Sequence, residues 1–355
     1  MLYSYAYGSS RDIFSSHHLH PNILARQVNF LFTLLFLLLL TSPLSAQRRY
    51  TVVSYNCENF FDVHHDTLKH DMDFLPDGER HWTFSRYCQK LNDIGKTIVQ
   101  CGGEGKNWSL PDLVALMEVE NDSVLHDLVH HSMLRGAHYK YTMTSSPDVR
   151  GIDVALLYNP FRIHLLHSEQ IIIPPIMQQR PTRNILHATL CTASGDTLHT
   201  FVVHAPSRSG GAALTESYRL FVCDKLLGKI DSLRTTSVMS HVLIMGDFND
   251  YSYNKSIKKI VSAGFSEISS HAVGKFHPDD VLGTYCYQHR WESLDHIFIT
   301  PDIISLQCFI HDAPWLLERD EAGHIRPRRT YLGPYYHGGV SDHLPLVLHF
   351  QFKEK

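Results

Sequence analysis

"HVLIMGDFND", residues 241–250, is the stretch whose reading decides the fold. Four apolar residues in succession, 242–245, read as a buried strand. Gly246 then turns the chain at once into Asp247, Phe248, Asn249 and Asp250. Carboxylates and an amide at the end of a buried strand cost desolvation free energy unless something pairs with them. Either they cap the next segment, or they face a cation or a substrate.

The same pattern recurs elsewhere in the chain. Residues 114–117, Val-Ala-Leu-Met, deliver Glu118, and residues 201–203, Phe-Val-Val, deliver His204. Ser341, Asp342 and His343 come just before an apolar strand, and Asp295 opens another. Singly, each has an ordinary explanation. Asp247 or Asn249 suits an N-cap or Asx-turn, Glu118 a solvated strand end, and His204 a hydrogen-bonded core histidine. Asp295 and Asp342, each followed by His, suit coincidence in a chain with 26 histidines. Together they are what a shared site at one edge of packed sheets requires.

The surrounding chain alternates strand and helix. "YTVVSYNCENFF" (50–61) reads as a first strand, and the His- and Asp-rich stretch 62–80 as a loop. Tyr87, Leu91, Ile94 and Ile98 stand at helical spacing over 83–100, with Thr83 as N-cap. Residues 111–121 read as a short strand ending in acids, and 122–134 as an amphipathic helix. The middle of the chain is a run of short β-rich segments, followed by a helix at 215–233 and strands at 293–300 and 341–350. With no internal repeat or long linker after residue 50, residues 47–355 read as a single α/β domain.

Composition removes some functions. With 32 Lys and Arg against 36 Asp and Glu, the formal charge is −4, so no global basic field drives non-specific nucleic-acid binding. A polyanion must be met by a local patch or a metal. Seven cysteines without C-x-x-C spacing indicate neither a zinc ribbon nor a disulfide scaffold, although Cys88 and Cys101 are left as a candidate pair. No G-x-x-x-x-G-K-[ST] loop is present, which argues against a nucleotide-driven motor or kinase. A hard divalent cation takes carboxylate, amide and water oxygens, and Asn56, Glu118 and Asp342 suit that role. The histidines lack the spacing of a zinc site.

"SYNCENFFD", "VALMEVEN", "VVHAPSRSGG", "GDFND", "SLDHIFIT" and "SDHLP", in this order, resemble the endonuclease/exonuclease/phosphatase superfamily, the deoxyribonuclease I-like fold. The resemblance runs from about residue 50 to 350 and is closest to exported bacterial members, which also carry stretches like "PDGERHWTFSRY" and "RGIDVALLY". It implies a four-layer α/β sandwich, two mixed β-sheets face to face with helices outside, and cleavage of phosphoester bonds with a divalent metal. By motif, Asn56 and Glu118 look like the metal-proximal pair, with Asp342 helping to hold the cation. Asp247 would orient or deprotonate the attacking water, and Asn249 would bind the phosphate. His343 would contact the scissile phosphate, positioned by Asp295, and His204 matches the histidine that some nucleases of the family use as a second acid.

Arg150 and Arg208 are candidates for substrate-phosphate contacts, because a planar guanidinium meets phosphate oxygens bidentately. Glu58 and Asp153 are weaker candidates for the site lining, and Asp153 reads better as an ordinary structural position. Trp291 fits either a stacking platform at the rim or core packing. His64, His65, His130 and His131 read as exposed, and "RPRR" (326–329) as a solvated loop.

The reading that results is a Mg²⁺-dependent phosphodiesterase, with Mn²⁺ or Ca²⁺ as alternative ions, acting as a nuclease on DNA or RNA. A sphingomyelinase-like phospholipid substrate or a phosphomonoester is the alternative on the same fold, and a binding protein with a dead site is a third. No apolar hairpin suited to membrane insertion stands out, and no obligate protein partner is evident. The apolar run "LFTLLFLLLL" followed by "TSPLSAQRR" makes residues 1–46 read as a secretion signal with an unusually long n-region, placing the mature protein in the periplasm or outside the cell. Expression of the full chain in an exporting host is expected to yield a mature N-terminus at Gln47. N-terminal sequencing checks this, and an intact leader on the exported protein would contradict it.

Overall fold

The structure is a computed structural model. It describes residues 49–353 apart from 104–107, 177–179 and 237–240, together with Arg26, Asn29, Phe30, Phe32 and Thr33. The expected secretion signal lies almost wholly outside the described residues. The chain divides into two units, Met1–Ala46 and Gln47–Lys355. Among the described residues, no helix is long and apolar enough to cross a membrane.

Along the chain the strands of the first half are β1 (Tyr50–Phe60), β2 (Leu113–Val119), β3 (Lys140–Met143), β4 (Asp153–Tyr158), β5 (Ile163–Ile171), β6 (Ile185–Thr192) and β7 (Thr197–His204). Then come β8 (His241–Asp247), β9 (Ser266–Glu267), β10 (Tyr285–Tyr287), β11 (Arg290–Glu292), β12 (Asp295–Ile299) and β13 (Ile303–Ile310). Short strands β14 (Leu317–Arg319), β15 (Ile325–Pro327), β16 (Tyr331–Leu332) and β17 (Tyr335–Tyr336) precede β18 (Leu346–Phe352). The α-helices are α1 (Phe84–Gln100), α2 (Asp122–His131), α3 (Ala212–Thr236) and α4 (Lys255–Ser262).

Two six-stranded mixed sheets carry the fold, ordered β13-β18-β1-β2-β4-β3 and β5-β6-β7-β8-β12-β9. They pack face to face through their central strands. The unbroken apolar run of β8 follows from this position. Leu243 and Met245 sit in the core shared by the two sheets, while Val242 and Ile244 pack with Tyr218, Val222 and Leu226 of α3 and Ile257 and Ile260 of α4. A strand covered on both faces has no side left for polar residues. On the opposite side of the molecule, Tyr87, Leu91, Ile94 and Ile98 bury the apolar stripe of α1 with residues of β1 in the same core. The four-layer α/β sandwich is therefore the observed architecture.

Local signals set the helix ends with small departures from the sequence pattern. Thr83 is the N-cap of α1 in extended conformation, but its side chain makes no capping bond. Asn121 does cap α2, its Oδ1 accepting from Val124 N at 3.0 Å. That helix ends at His131 rather than 134, because the Ser132 hydroxyl takes the Leu134 N–H and a 3-10 turn, Met133–Gly136, follows. The candidate Cys88–Cys101 disulfide does not form, and all seven cysteines are free thiols. Twelve helical residues lie between the two, which sets them about 20 Å apart along α1, against the roughly 7 Å that a disulfide tolerates.

Register is what places the site. β7 and β8 are parallel with His204 beside Asp247, and β12 runs antiparallel to β8 with Asp295 opposite Asp247. Three polar residues thus stand in one row at one edge of the second sheet. In the first sheet the parallel pair β1 and β2 loses register between Asn56 and Phe60, and β2 against β4 loses it between Met117 and Val119. These bulges hold Glu58, Asn59 and Glu118 at positive φ of 50°, 54° and 61°. A bulge re-aims a side chain that regular pleating would point elsewhere.

Gly246 has φ +143°, and a Cβ there would lie 1.9 Å from the carbonyl oxygen of Val203 on the neighbouring strand. Gly246→Ala must therefore push β7 away from β8 just where the polar row begins. The variant is expected to lose about 2–4 kcal/mol of stability. Urea unfolding measures this, and a loss within about 0.5 kcal/mol would contradict the close approach.

Candidate active site

A cleft of about 610 Å³ opens at the edge where the polar row of one sheet meets the bulges of the other. Asn56, Glu118, Arg150, His204, Arg208, Asp247, Asn249, Asp342 and His343 all line it. Asp295 stands behind His343 and is buried. The ten residues given catalytic, metal or phosphate roles by the sequence reading are therefore brought to one place.

Asp247 is the hub. Its Oδ1 accepts from the backbone N–H of Asn249 at 2.9 Å and its Oδ2 from Asn56 Nδ2 at 3.0 Å. The first bond depends on a tight turn in which Asn249 takes φ 50°, a conformation that asparagine tolerates better than most residues. Asn249 Nδ2 donates to Ala205 O at 3.2 Å, tying the turn to the end of β7. Burial pushes the Asp247 carboxyl up to about 7, against the downward pull of His343.

His343 is held by a carboxylate. Its Nδ1 lies 2.7 Å from Asp295 Oδ2, which also accepts from Thr284 Oγ1 at 2.5 Å. Ser341 supports the turn, accepting from His343 N and donating to the Asn56 carbonyl at 2.7 Å. Burial alone would pull the imidazole down, but Asp295, aided by Asp247 and Asp342, holds it up at about 10. Its Nε2 lies 4.0 Å from Asp247 Oδ2. His204 behaves in the opposite way. Burial and the nearby Arg183, Arg150 and His343 charges hold it well below the usual histidine range. The neutral His204 places Nε2 3.6 Å from Asp247 Oδ2 and 3.9 Å from Glu118 Oε1. One charged and one neutral imidazole thus flank the same carboxylate, the separation of protonation states that acid–base chemistry uses.

The residues expected beside the metal, Asn56, Glu118 and Asp342, fit a hard divalent ion. Glu118 Oε2 accepts from Asn59 N at 2.8 Å, while Oε1 faces Arg150 at 3.6 Å. Asn56 Oδ1 accepts from Glu58 N at 3.0 Å and keeps a second lone pair. Asp342 lines the cleft with one oxygen committed, because Arg329 Nη2 donates to its Oδ2 at 2.5 Å. An all-oxygen set of two carboxylates and an amide suits the Mg²⁺ class. Two other donor groups, His126 with Asp127 and His131, and His289 with Asp320 and His324, lie outside the cleft lining with exposed imidazoles.

The other candidates divide. Glu58 is absent from the cleft lining; it accepts from Thr330 N at 2.7 Å, and burial together with the Asp342 charge pushes it up to about 7. Asp153 is structural, receiving the hydroxyls of Thr144 and Ser146. Trp291 packs partly buried against the core. The "RPRR" segment is not a solvated loop: Pro327 is buried, and Arg329 pairs with Asp342 and, at 3.8 Å, with Glu58. Sequence reasoning missed the aromatic rim of Tyr251, Tyr285 and Tyr287. Tyr251 carries the Arg208 guanidinium over its ring at 4.2 Å, and Tyr285 tilts against His343 at 4.9 Å.

A sequence model described as the endonuclease/exonuclease/phosphatase family matches residues 51–352. The chain belongs to the endonuclease/exonuclease/phosphatase family. Among solved structures it is similar to a member of that family from Bacteroides thetaiotaomicron, at 16% identity and TM-score 0.59, covering 86% of this chain and 96% of that one. It is also similar to the mannosyl-6-phosphatase of the same species, at 17% identity and TM-score 0.58, covering 85% and 100%. D. rerio TDP2 complexed with a single-strand DNA product gives 15% identity and TM-score 0.52, covering 85% and 99%. A search of curated proteins finds no match. The protein therefore carries the phosphoesterase hydrolase fold of the endonuclease/exonuclease/phosphatase family, whose enzymes use divalent metals.

The His343 charge is expected to depend on Asp295. In Asp295→Asn, His343 titrates about 1–3 pH units lower than in the parent, as followed by its ring NMR signals. A folded-state value raised above the unfolded one, about 6.5, stabilises fully below that pH and fades as pH rises through about 10. The stability gap between parent and Asp295→Asn should accordingly shrink between pH 7 and pH 10, and a gap that widens would contradict the pairing.

Proposed function

We propose that the protein is an exported, Mg²⁺-dependent phosphodiesterase that hydrolyses nucleic acid. The observation that carries this reading is the meeting, in one cleft, of a carboxylate-held cationic His343, the raised Asp247 carboxyl and the oxygen donors around Glu118. Displacement at phosphorus calls for neutralised non-bridging oxygens, an aligned nucleophile and help for the departing alkoxide.

The side chains divide that work. Asp247, fixed at both oxygens, accepts a proton from the attacking water with a basicity raised toward neutrality. Protonated His343 donates to a non-bridging phosphate oxygen, and Asn249, which lines the same cleft, offers that phosphate the amide hydrogen not given to Ala205 O. His204, neutral, offers a hydrogen bond on the Glu118 side. A divalent ion held by Asn56, Glu118 and Asp342 would supply Lewis-acid neutralisation of the charge on the phosphate, and the departing alkoxide takes its proton from water in the open cleft.

Nucleic acid is favoured over a phospholipid by the rim. Three tyrosines with Arg208 make a stacking and cation–π surface suited to bases. The solved complex of TDP2 with single-strand DNA shows that this fold admits a strand of that kind in a relative.

Purified residues 47–355 with Mg²⁺ are expected to cleave plasmid DNA or RNA and bis-p-nitrophenyl phosphate, and EDTA is expected to abolish both. His343→Ala and Asp247→Asn should each lower turnover about 10²–10⁴-fold. Unchanged turnover in either variant would refute the assignment. Cleavage of sphingomyelin or of phosphomonoesters alone would replace nucleic acid as the substrate class.

A further inference from the structure

Beside the cleft lies a second cavity of about 540 Å³ that shares Arg150, Ser207 and Ser209 with it as a common wall. Its far side is built by Arg180, Thr182, Arg183 and, from α3, Tyr218. Three arginines line this cavity and, among the described residues, the one acid in its lining is Asp148, while Arg150 also faces Glu118 of the cleft at 3.6 Å. Asp148 is already spent, since Arg183 Nη1 donates to it at 3.1 Å and Arg150 Nε lies 3.8 Å away. In a chain with net charge −4, this is a local excess of positive charge adjoining the catalytic groups.

Unmet hydrogen-bonding capacity points the same way. Thr182 Oγ1, Arg183 Nε and Tyr218 OH have no hydrogen-bond partner among the described residues. Thr182, Arg183 and Tyr218 are 2%, 5% and 2% exposed. Buried donors left unpaired are uncommon, and three on one cavity wall mark a place where an acceptor belongs. The N-terminus of α3 opens beside them: Gly210 and Thr215 line the cavity, and no acidic residue occupies the first turn of the helix. Helix N-termini favour anions.

We propose that this cavity is a second anion subsite, which holds a phosphate of the substrate next to the one being cleaved. The proposal rests on the nucleic-acid reading of the cleft and deepens it, because a strand carries a phosphate at every nucleotide whereas an isolated ester offers only one. Arg150, touching both cavities, lies where two successive phosphates would share a cation.

Thymidine dinucleotides with no terminal phosphate, a 5′-phosphate or a 3′-phosphate test it. For the wild-type protein, phosphate at one end should raise kcat/KM about tenfold or more, as a charge-assisted contact would. Arg180→Gln combined with Thr182→Val should erase that gain while leaving turnover of bis-p-nitrophenyl phosphate within about twofold. Tyr218→Phe, a smaller change, should reduce the gain in part. Absence of a gain in the wild type, or its survival in the double variant, would overturn the subsite while the cleft assignment stands. If no dinucleotide is cleaved and plasmid DNA and RNA are also left intact, the nucleic-acid reading fails instead. Calorimetry with inorganic pyrophosphate then decides the subsite: binding weakened about tenfold in the double variant supports it, and unchanged binding overturns it.

Discussion

A buried carboxylate at the end of β8 constrains the rest of the site. Asp247 is 2% exposed, and leaving its oxygens unpaired would cost several kcal/mol, roughly the margin of a whole domain. It is satisfied from both sheets at once: its own turn supplies Asn249 N, and the first sheet supplies Asn56 Nδ2. The relative placement of the sheets is thereby tied to atoms that line the cleft. Ser341 adds a second tie, donating to the Asn56 carbonyl from the segment that carries His343.

Electrostatic differentiation follows from that geometry. Two histidines lie within 4 Å of one carboxylate, yet Asp295 behind His343 holds its charge against burial, while at His204 burial and the nearby arginines both oppose one. Residue type alone could not produce the difference. It arises because the register of β12 puts Asp295 in line with Asp247, within reach of the 341–343 turn. A cation near Glu118 would lower the Asp247 carboxyl and sharpen the contrast.

Much of this was legible in the sequence because it rests on periodicity. The 242–245 run reads as a buried strand, and strands ending in polar residues point to a shared edge. What stayed hidden rests on conformations without a compositional mark. The bulges at Asn56 to Phe60 and at Glu118 use non-glycine residues at positive φ. The β10–β11 hairpin, which brings Tyr285 and Tyr287 to the rim, turns on Gln288 and His289 at φ 46° and 65° rather than on the Asn-Gly type of pair that signals such turns. The Arg329–Asp342 pair and the cavity of Thr182, Arg183 and Tyr218 join distant segments, so no local pattern could reveal them.

The central claim is that groups from opposite sheets act as one catalytic unit. A double-mutant cycle tests it most directly, pairing Glu118→Gln from the first sheet with Asp247→Asn from the second and reading kcat/KM on bis-p-nitrophenyl phosphate. If the two serve one reacting phosphate, the double variant should be no more than about tenfold worse than the poorer single variant. Losses that simply multiply would show that the residues act independently, and would contradict the account.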